Sequence, residues 1–185
     1  IWEAEFLWRW VSYCATCDGM FFKNLDVVVV WWWNTAITES LYLADICKKV
    51  YIVHRKDTFR AEDIWVDLAK KRENIEFVLN DEILEITWEN FMEKVILKSW
   101  KTINADGIFV AIWSTPNTSL VDSLDPKKDF EWCLVVDARQ KTSVEWLYAA
   151  GDVTTNSNKF KQTIMSAAEW CLSANSVHED LIKSH

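Results

Sequence analysis

The sequence predicts an α/β protein: a parallel sheet flanked by helices, with a small antiparallel meander. Short β-branched runs at residues 26–30, 50–54 and 107–112 are typical of parallel strands that are buried on both faces. Between the first two runs, apolar residues recur at helical spacing. Over residues 83–103, apolar and polar residues alternate between turn-like breaks, which indicates the meander.

The elements are expected to follow one another in a regular order. A short strand leads into residues 14–17, and residues 26–54 form a strand–helix–strand unit whose helix carries its apolar side chains at Ile37, Leu41, Ala44 and Cys47. The later predicted elements are a helix at 61–72, a parallel strand at 75–79, meander strands at 83–87, 93–98 and 101–103, a buried strand at 107–112 and a last helix at about 160–182. Pro116 and its small polar neighbours predict a boundary at 113–118.

Composition excludes several classes of protein. With 50% hydrophobic and 26% charged residues the chain is globular, and its formal net charge of -8 argues against nucleic acid as a partner. No apolar run reaches the length of about eighteen residues that a membrane span needs. The opening residues lack a basic n-region, and the five cysteines do not resemble a secreted disulfide framework. We therefore expect a cytoplasmic protein.

The glycine and tryptophan contents are abnormal. Glycine occurs 3 times and tryptophan 13 times in 185 residues, whereas glycine usually makes up roughly 7% of a protein. Trp88 and Trp100 lie between strand-like runs, where hairpin turns favour positive φ, and Trp31, Trp32 and Trp33 directly follow a predicted strand. We infer that tryptophan stands at many positions where this fold calls for glycine.

Cys14, Cys17 and the adjacent Asp18 form the most distinctive motif. Two thiols three residues apart can close a small disulfide ring, and the carboxylate can exchange protons with them. Beside strand–helix–strand patterning, such a pair indicates redox chemistry before metal binding. Tetrahedral zinc needs further ligands, and we expect no metal site because the other cysteines and histidines are isolated. Three cysteines are instead expected to pack as small apolar side chains: Cys47, Cys133 and Cys171.

The segment Ser-Tyr-Cys-Ala-Thr-Cys-Asp-Gly at 12–19 resembles the redox-active centre of low-molecular-weight thioredoxin reductases. The strand–helix–strand unit and Ala-Ala-Gly-Asp at 149–152 resemble other parts of the same family. The resemblance implies a linker or hinge at 1–10 and a Rossmann-like three-layer NADPH-binding domain with the meander at 11–115. Residues 116–185 then form the C-terminal part of a second Rossmann-like domain, which binds FAD. The family's N-terminal FAD-binding segment has no counterpart before Ile1, so we expect weak FAD binding by this chain alone.

The resemblance locates an NADPH site at the turn after the strand at 26–30. The family carries Gly-x-Gly-x-x-Ala there, and the matching positions are Trp31, Trp33 and Ala36, with Asn34 and Thr35 between the last two. Glycine lets the backbone approach the pyrophosphate at the helix N-terminus, whereas an indole fills that volume. We therefore expect this sequence to bind NADPH poorly.

The residues that match the ribose-binding part of the family's NADPH site are present in the sequence. His54 ends the second strand, and Arg55, Lys56 and Arg60 follow it. Cations at this point suit the 2′-phosphate of NADPH, and the resemblance assigns that role to the three basic residues. The alternative for a lone cluster of this kind is a solvated basic loop.

The resemblance also assigns flavin contacts in the C-terminal part. Gly151 and Asp152 match the pair that holds the flavin, with Asp152 at its ribityl–phosphate region. Lys161, Gln162 and Thr163 match a segment beside the isoalloxazine ring, where family members commonly have Arg-Gln-Ala. The alternative is that the last helix is only an amphipathic cap over the sheet.

The activity that the resemblance implies is thioredoxin-disulfide reduction. Electrons pass from NADPH through FAD to the disulfide and on to thioredoxin; Cys17 faces the flavin, Cys14 attacks the protein substrate and Asp18 handles protons. The family is commonly homodimeric, and its two domains rotate against each other. Two alternatives remain: a non-catalytic dithiol module without nucleotide binding, and a flavoprotein reductase of an alkyl hydroperoxide system.

Overall fold

The computed structural model describes residues 10–31, 34–58, 61–89, 91–111 and 115–184. The chain divides into two units, Ile1–Trp113 and Ser114–His185. The strands of the first unit are β1 (Val11–Ser12), β2 (Asp26–Trp31), β3 (Lys49–His54), β4 (Ile75–Leu79), β5 (Ile83–Trp88), β6 (Met92–Leu97), β7 (Thr102–Asn104) and β8 (Gly107–Ala111). Its helices are α1 (Ala15–Asp18), α2 (Asn34–Ala44) and α3 (Asp63–Lys70). The second unit contains the long helix α4 (Thr163–Lys183).

A five-stranded sheet of order β1-β8-β2-β3-β4 forms the centre of the first unit, and every neighbouring pair in it is parallel. Its middle strand is the β-branched run of the sequence, and Val27, Val28 and Val29 are completely buried. Burial of consecutive residues means that both faces of β2 are covered, as expected for a central parallel strand.

Alternate residues of the central strands pack into two different layers. Val27 and Val29 belong to a core cluster that includes Ile37 of α2 and Val66 of α3. Val28 belongs to another cluster, which includes Val95 of the three-stranded antiparallel sheet β5-β6-β7. The first unit is therefore a three-layer structure of helices, parallel sheet and meander, and the predicted fold class is confirmed.

The second unit contains little regular structure besides α4. Within residues 115–184, strand-like pairing is limited to isolated bridges, Lys128 with Leu134, Leu134 with Thr154, and Lys141 with Tyr148. The Asp180 carboxylate near the end of α4 accepts hydrogen bonds from the Tyr148 hydroxyl at 2.5 Å and from Arg139 at 3.1 Å, and it also pairs with Lys141. These contacts fasten the end of the helix to the preceding loops. Among the described helices, none combines the length and the apolarity needed to cross a membrane.

Tryptophan occupies left-handed backbone positions in both units. The φ angles are 66° at Trp100, 65° at Trp132 and 63° at Trp146. The prediction of positive φ at Trp100 is thus confirmed. The same prediction for Trp88 is wrong, because Trp88 ends β5 and pairs with Met92 beside an irregularity in the register.

Candidate active site

The dithiol motif lies where edge strand β1 ends and α1 begins. Cys14 caps the N-terminus of α1 with an extended backbone at φ -144°, and its sulfur accepts a hydrogen bond from the Cys17 amide at 3.1 Å. Cys14 and Cys17 are joined in a disulfide, with their Cα atoms 5.3 Å apart. Because a helix of 4 residues is too short to form alone, these two links hold the turn in its shape.

Ser12 holds Asp18 beside the disulfide. The buried Ser12 hydroxyl donates to the Asp18 carboxylate at 2.7 Å and accepts the Cys14 amide at 3.0 Å. One side chain therefore connects the strand end, the first cysteine and the carboxylate. Ser12 lies inside the predicted motif, but a serine carries no redox chemistry, and nothing in the sequence singles it out.

Glu39 of α2 is a second carboxyl group next to the motif. Burial raises the pKa of its carboxyl to about 7, although the backbone amide of Ala15 donates a hydrogen bond that opposes the shift. Ala15 lies between the two cysteines, so the Glu39 carboxyl contacts the backbone of the segment that the disulfide closes. Its neighbours Thr38 and Ser40 are polar, and the sequence pattern therefore does not mark Glu39 as buried.

The three remaining cysteines divide into two groups. Cys47 and Cys133 are buried, as predicted, and burial together with the nearby Asp26 carboxylate raises the pKa of the Cys47 thiol to about 11. The prediction for Cys171 is wrong, because its side chain is exposed on α4.

Asp129, Glu131 and Cys133 bring potential metal-ligand atoms within 4.8 Å of one another. The Asp129 carboxylate accepts the amides of Glu131 and Cys133, each at 2.9 Å. It therefore serves as the cap of a tight turn.

The predicted pyrophosphate turn connects β2 to α2. The strand ends at Trp31 and the helix begins at Asn34, so the connection is short. Trp33 lies outside the described residues, as do the side chains of Trp31 and Asn34. Thr35 is exposed in the first turn of the helix, and Ala36 is completely buried in the core. The short strand-to-helix turn suits a dinucleotide, but indoles at 31 and 33 do not.

The predicted ribose-phosphate cluster follows the neighbouring strand. β3 pairs with β2 in parallel, and it ends at His54, which is buried and whose carbonyl accepts the Asp81 amide at 3.2 Å. Arg55 and Lys56 come next and are exposed, whereas Arg60 lies outside the described residues. Because adjacent parallel strands end at the same edge of a sheet, Arg55 and Lys56 share an edge with the start of α2. These residues fit a phosphorylated ribose.

In the second unit, a buried carboxylate fixes the turn at Gly151. This glycine has φ 83°, and its amide donates to Glu169 at 2.7 Å. Glu169 is only 5% exposed and also accepts the hydroxyls of Ser157 at 2.5 Å and Thr154 at 3.3 Å. Sequence reasoning missed Glu169, because a single glutamate in a helix carries no signal of burial.

The other predicted flavin residues lie between this turn and the start of α4. Asp152 is exposed, and its carboxylate accepts the Ser166 hydroxyl at 3.2 Å. Lys161 is exposed, Gln162 is the N-cap of α4, and Thr163 is the first residue of the helix. A left-handed turn, an exposed carboxylate and a helix N-terminus fit the ribityl hydroxyls and phosphates of a flavin nucleotide.

Comparisons with known proteins agree with this architecture. The family model described as pyridine nucleotide-disulphide oxidoreductase matches residues 3–169. A thioredoxin reductase of Rickettsia typhi is 38% identical over 98% of this chain and 60% of its own length. A glucosaminate ammonia-lyase of Pseudomonas fluorescens is 40% identical over 93% of this chain and 57% of its own length. The solved thioredoxin reductase of Giardia duodenalis has a TM-score of 0.88 at 29% identity, covering 97% of this chain and 60% of that one.

The chain belongs to the pyridine nucleotide-disulphide oxidoreductase family. Within it, the predicted resemblance to low-molecular-weight thioredoxin reductases is confirmed by the relatives of that name. The chain spans about 60% of the length of the curated relatives that it matches.

Proposed function

We propose that this chain is the dithiol-bearing part of an NADPH-dependent thioredoxin-disulfide reductase. The observation that carries the proposal is the Cys14–Cys17 disulfide at the start of α1, with Asp18 tied to it through Ser12. It also favours a reductase over the lyase activity that one relative is named for, since a deaminating lyase has no use for a redox dithiol.

The proposed exchange transfers two electrons from the dithiol to a substrate disulfide. The Cys14 thiolate attacks one substrate sulfur, which forms a mixed disulfide and releases the other substrate sulfur as a thiolate. The Cys17 thiolate then attacks the Cys14 sulfur, which releases the second substrate thiolate and restores the Cys14–Cys17 disulfide. Asp18 supplies and accepts the protons of these thiols. A flavin, when bound, would supply the two electrons that reduce the disulfide again.

The cofactor assignments are FAD and NADPH, with residues 11–115 as the NADPH-binding domain, 116–185 as the C-terminal part of the FAD domain and 1–10 as a hinge. Exposed Arg55 and Lys56 at the edge that also holds the start of α2 support an NADPH 2′-phosphate site. Indoles at positions 31 and 33 do not suit the pyrophosphate, so this sequence is expected to bind NADPH poorly. The turn at Gly151 and Asp152, with the start of α4, supports a flavin site.

The proposed partner is a thioredoxin-like protein, and the proposed assembly is a homodimer in the cytoplasm. The acidic net charge of -8 supports a protein partner rather than nucleic acid. An alkyl hydroperoxide system remains the alternative destination of the electrons, because it would use the same dithiol.

Single-turnover trapping tests the exchange without either cofactor. The reduced chain is mixed with oxidised thioredoxin, and the products are identified by intact mass. We expect Cys17→Ser to accumulate a mixed disulfide through Cys14, and Cys14→Ser to form none. Cys171→Ser, which removes the exposed lone thiol, is the matched control and should behave as the parent chain.

Equal trapping by the two active-site variants, or trapping that depends on Cys171, would contradict the proposed roles. NADPH titration of the variant that carries Trp31→Gly and Trp33→Gly separates the reductase from the non-catalytic dithiol module, because a module without a nucleotide site binds no NADPH even after both indoles are removed.

A further inference from the structure

Two of the left-handed tryptophans lie in hairpin loops with the same hydrogen bonds. The Trp100 amide donates to the Leu97 carbonyl and the Leu97 amide donates to the Lys101 carbonyl, each at 2.9 Å. In the second unit the Trp132 amide donates to Asp129 at 3.1 Å, and the Asp129 amide donates to Cys133 at 3.0 Å. This pattern is a three-residue loop, a type I turn followed by a left-handed residue. The left-handed position of this loop is typically glycine.

A third loop shows what a side chain needs in order to occupy that position. The Gln140 amide donates to Asp137 at 3.0 Å, the Asp137 amide donates to Lys141 at 3.0 Å, and φ at Gln140 is 64°. Gln140 is 1% exposed, so its side chain is packed against the rest of the second unit. The Trp100 and Trp132 side chains are 78% and 61% exposed and have no comparable packing.

Trp146 is a third exposed tryptophan at a left-handed backbone position, in a wider loop. The Thr142 amide donates to the Leu147 carbonyl at 3.0 Å, and Trp146, at φ 63°, is the last residue inside that loop. Its side chain is 54% exposed. Most other left-handed positions hold the residue types that tolerate this conformation, Asn24, Asn80, Asp125 and Asn158, and the exceptions are Gln140 and Ser157.

We propose that these three turns are built for glycine, and that the protein made by its own host carries glycine at residues 100, 132 and 146. Independent turns in two units share the mismatch, and the whole chain has 3 glycines and 13 tryptophans. A single cause that places tryptophan where the host's protein has glycine would explain all of these positions together. The proposal is independent of the proposed enzymatic activity.

Thermal unfolding of the 185-residue chain gives the first test. Trp100→Gly, Trp132→Gly and Trp146→Gly should each raise the unfolding midpoint of their own unit by about 4–8 °C, because the left-handed strain is relieved. Trp170→Gly is the control: Trp170 is 71% exposed but lies inside α4. There glycine should lower the midpoint, because it weakens a helix interior. Lower midpoints for Trp100→Gly and Trp132→Gly, as for the control, would overturn the proposal.

Peptide mass spectrometry of the protein purified from its own host gives a second test that does not depend on folding of the variants. Peptides that cover residues 97–101, 129–133 and 142–147 should contain glycine at the left-handed position. Tryptophan in these peptides would overturn the proposal, whatever the stability of the variants.

Discussion

The dithiol turn and the pyrophosphate turn both connect a parallel strand to a helix, but they differ in the side chains that their sequences carry. Each follows a parallel strand and begins a helix, β1 to α1 and β2 to α2. The dithiol turn contains Cys14 and the small Ser12 at hydrogen-bonding distance, whereas the other turn contains consecutive indoles. The first turn therefore carries redox chemistry, whereas the second carries indoles where a dinucleotide needs glycine.

The largest effect is expected on NADPH affinity, from Trp31→Gly combined with Trp33→Gly. Removing both indoles opens the space for the pyrophosphate at the start of α2, and NADPH affinity should rise by roughly a hundredfold, or about 3 kcal/mol. Calorimetric titration of the chain with NADPH measures it. Trp100→Gly combined with Trp132→Gly is the control, because it removes as many indoles away from the turn. Equal heats for the two double variants would show that the turn is not the obstacle.

Glu39 next to the dithiol turn should make stability depend on pH. Its pKa is about 7 in the folded chain and 4.5 in the reference state, so folding favours the protonated carboxyl. The stabilisation is fully present below the unfolded pKa and is lost as pH rises through 7, by up to roughly 3 kcal/mol. Urea unfolding across this range should show the decline in the parent chain and a flatter profile in Glu39→Gln. An identical decline in the variant would exclude Glu39 as its origin.

Arg55→Ala with Lys56→Ala tests the intact part of the nucleotide site. In the background of Trp31→Gly and Trp33→Gly, their loss should weaken NADPH binding roughly tenfold, or about 1.4 kcal/mol, because charge-assisted bonds to the 2′-phosphate disappear. NADH lacks that phosphate, and its affinity should not change. A parallel loss for NADH would mean that the cations do not read the 2′-phosphate.

Ser12→Ala should produce the smallest of these effects. It removes the hydroxyl that connects Asp18 to the Cys14 amide, and it should lower the unfolding free energy of the first unit by about 1 kcal/mol. Thr16→Ala is the control, since Thr16 is exposed and its side-chain contact with the Cys14 sulfur is long, at 3.9 Å. Equal losses of unfolding free energy in the two variants would show that the Ser12 hydroxyl does not stabilise the dithiol turn.

Sequence reasoning succeeded where one physical pattern dominates. The β-branched run at Asp26 and the alternation before Ile103 predicted the parallel sheet and the meander, because burial on two faces or on one leaves different periodicities. Glu39 and Glu169 could not be predicted, since burial of a single carboxyl depends on which amides and hydroxyls the folded chain brings to it. Trp88 was misplaced because a bulged strand end and a turn share the same local signals.

The second unit was harder to predict for a related reason. Its isolated bridges around Leu134 and Tyr148 produce no periodic pattern, so only the helix could be anticipated from spacing. The resemblance of Gly151 and Asp152 to a family motif located that turn, whereas the Asp180 cluster that anchors α4 has no sequence signature.

The brevity of β1 has a consequence for local unfolding. Among the described residues, β1 pairs with β8 through Val11 and Ser12 alone and lies at the edge of the sheet, whereas β2 has a partner strand on each side. Amide hydrogens around the dithiol turn should therefore exchange with solvent through small openings, while those of β2 should exchange only when the whole unit unfolds. Such openings would expose the sulfurs while the valine core stays closed.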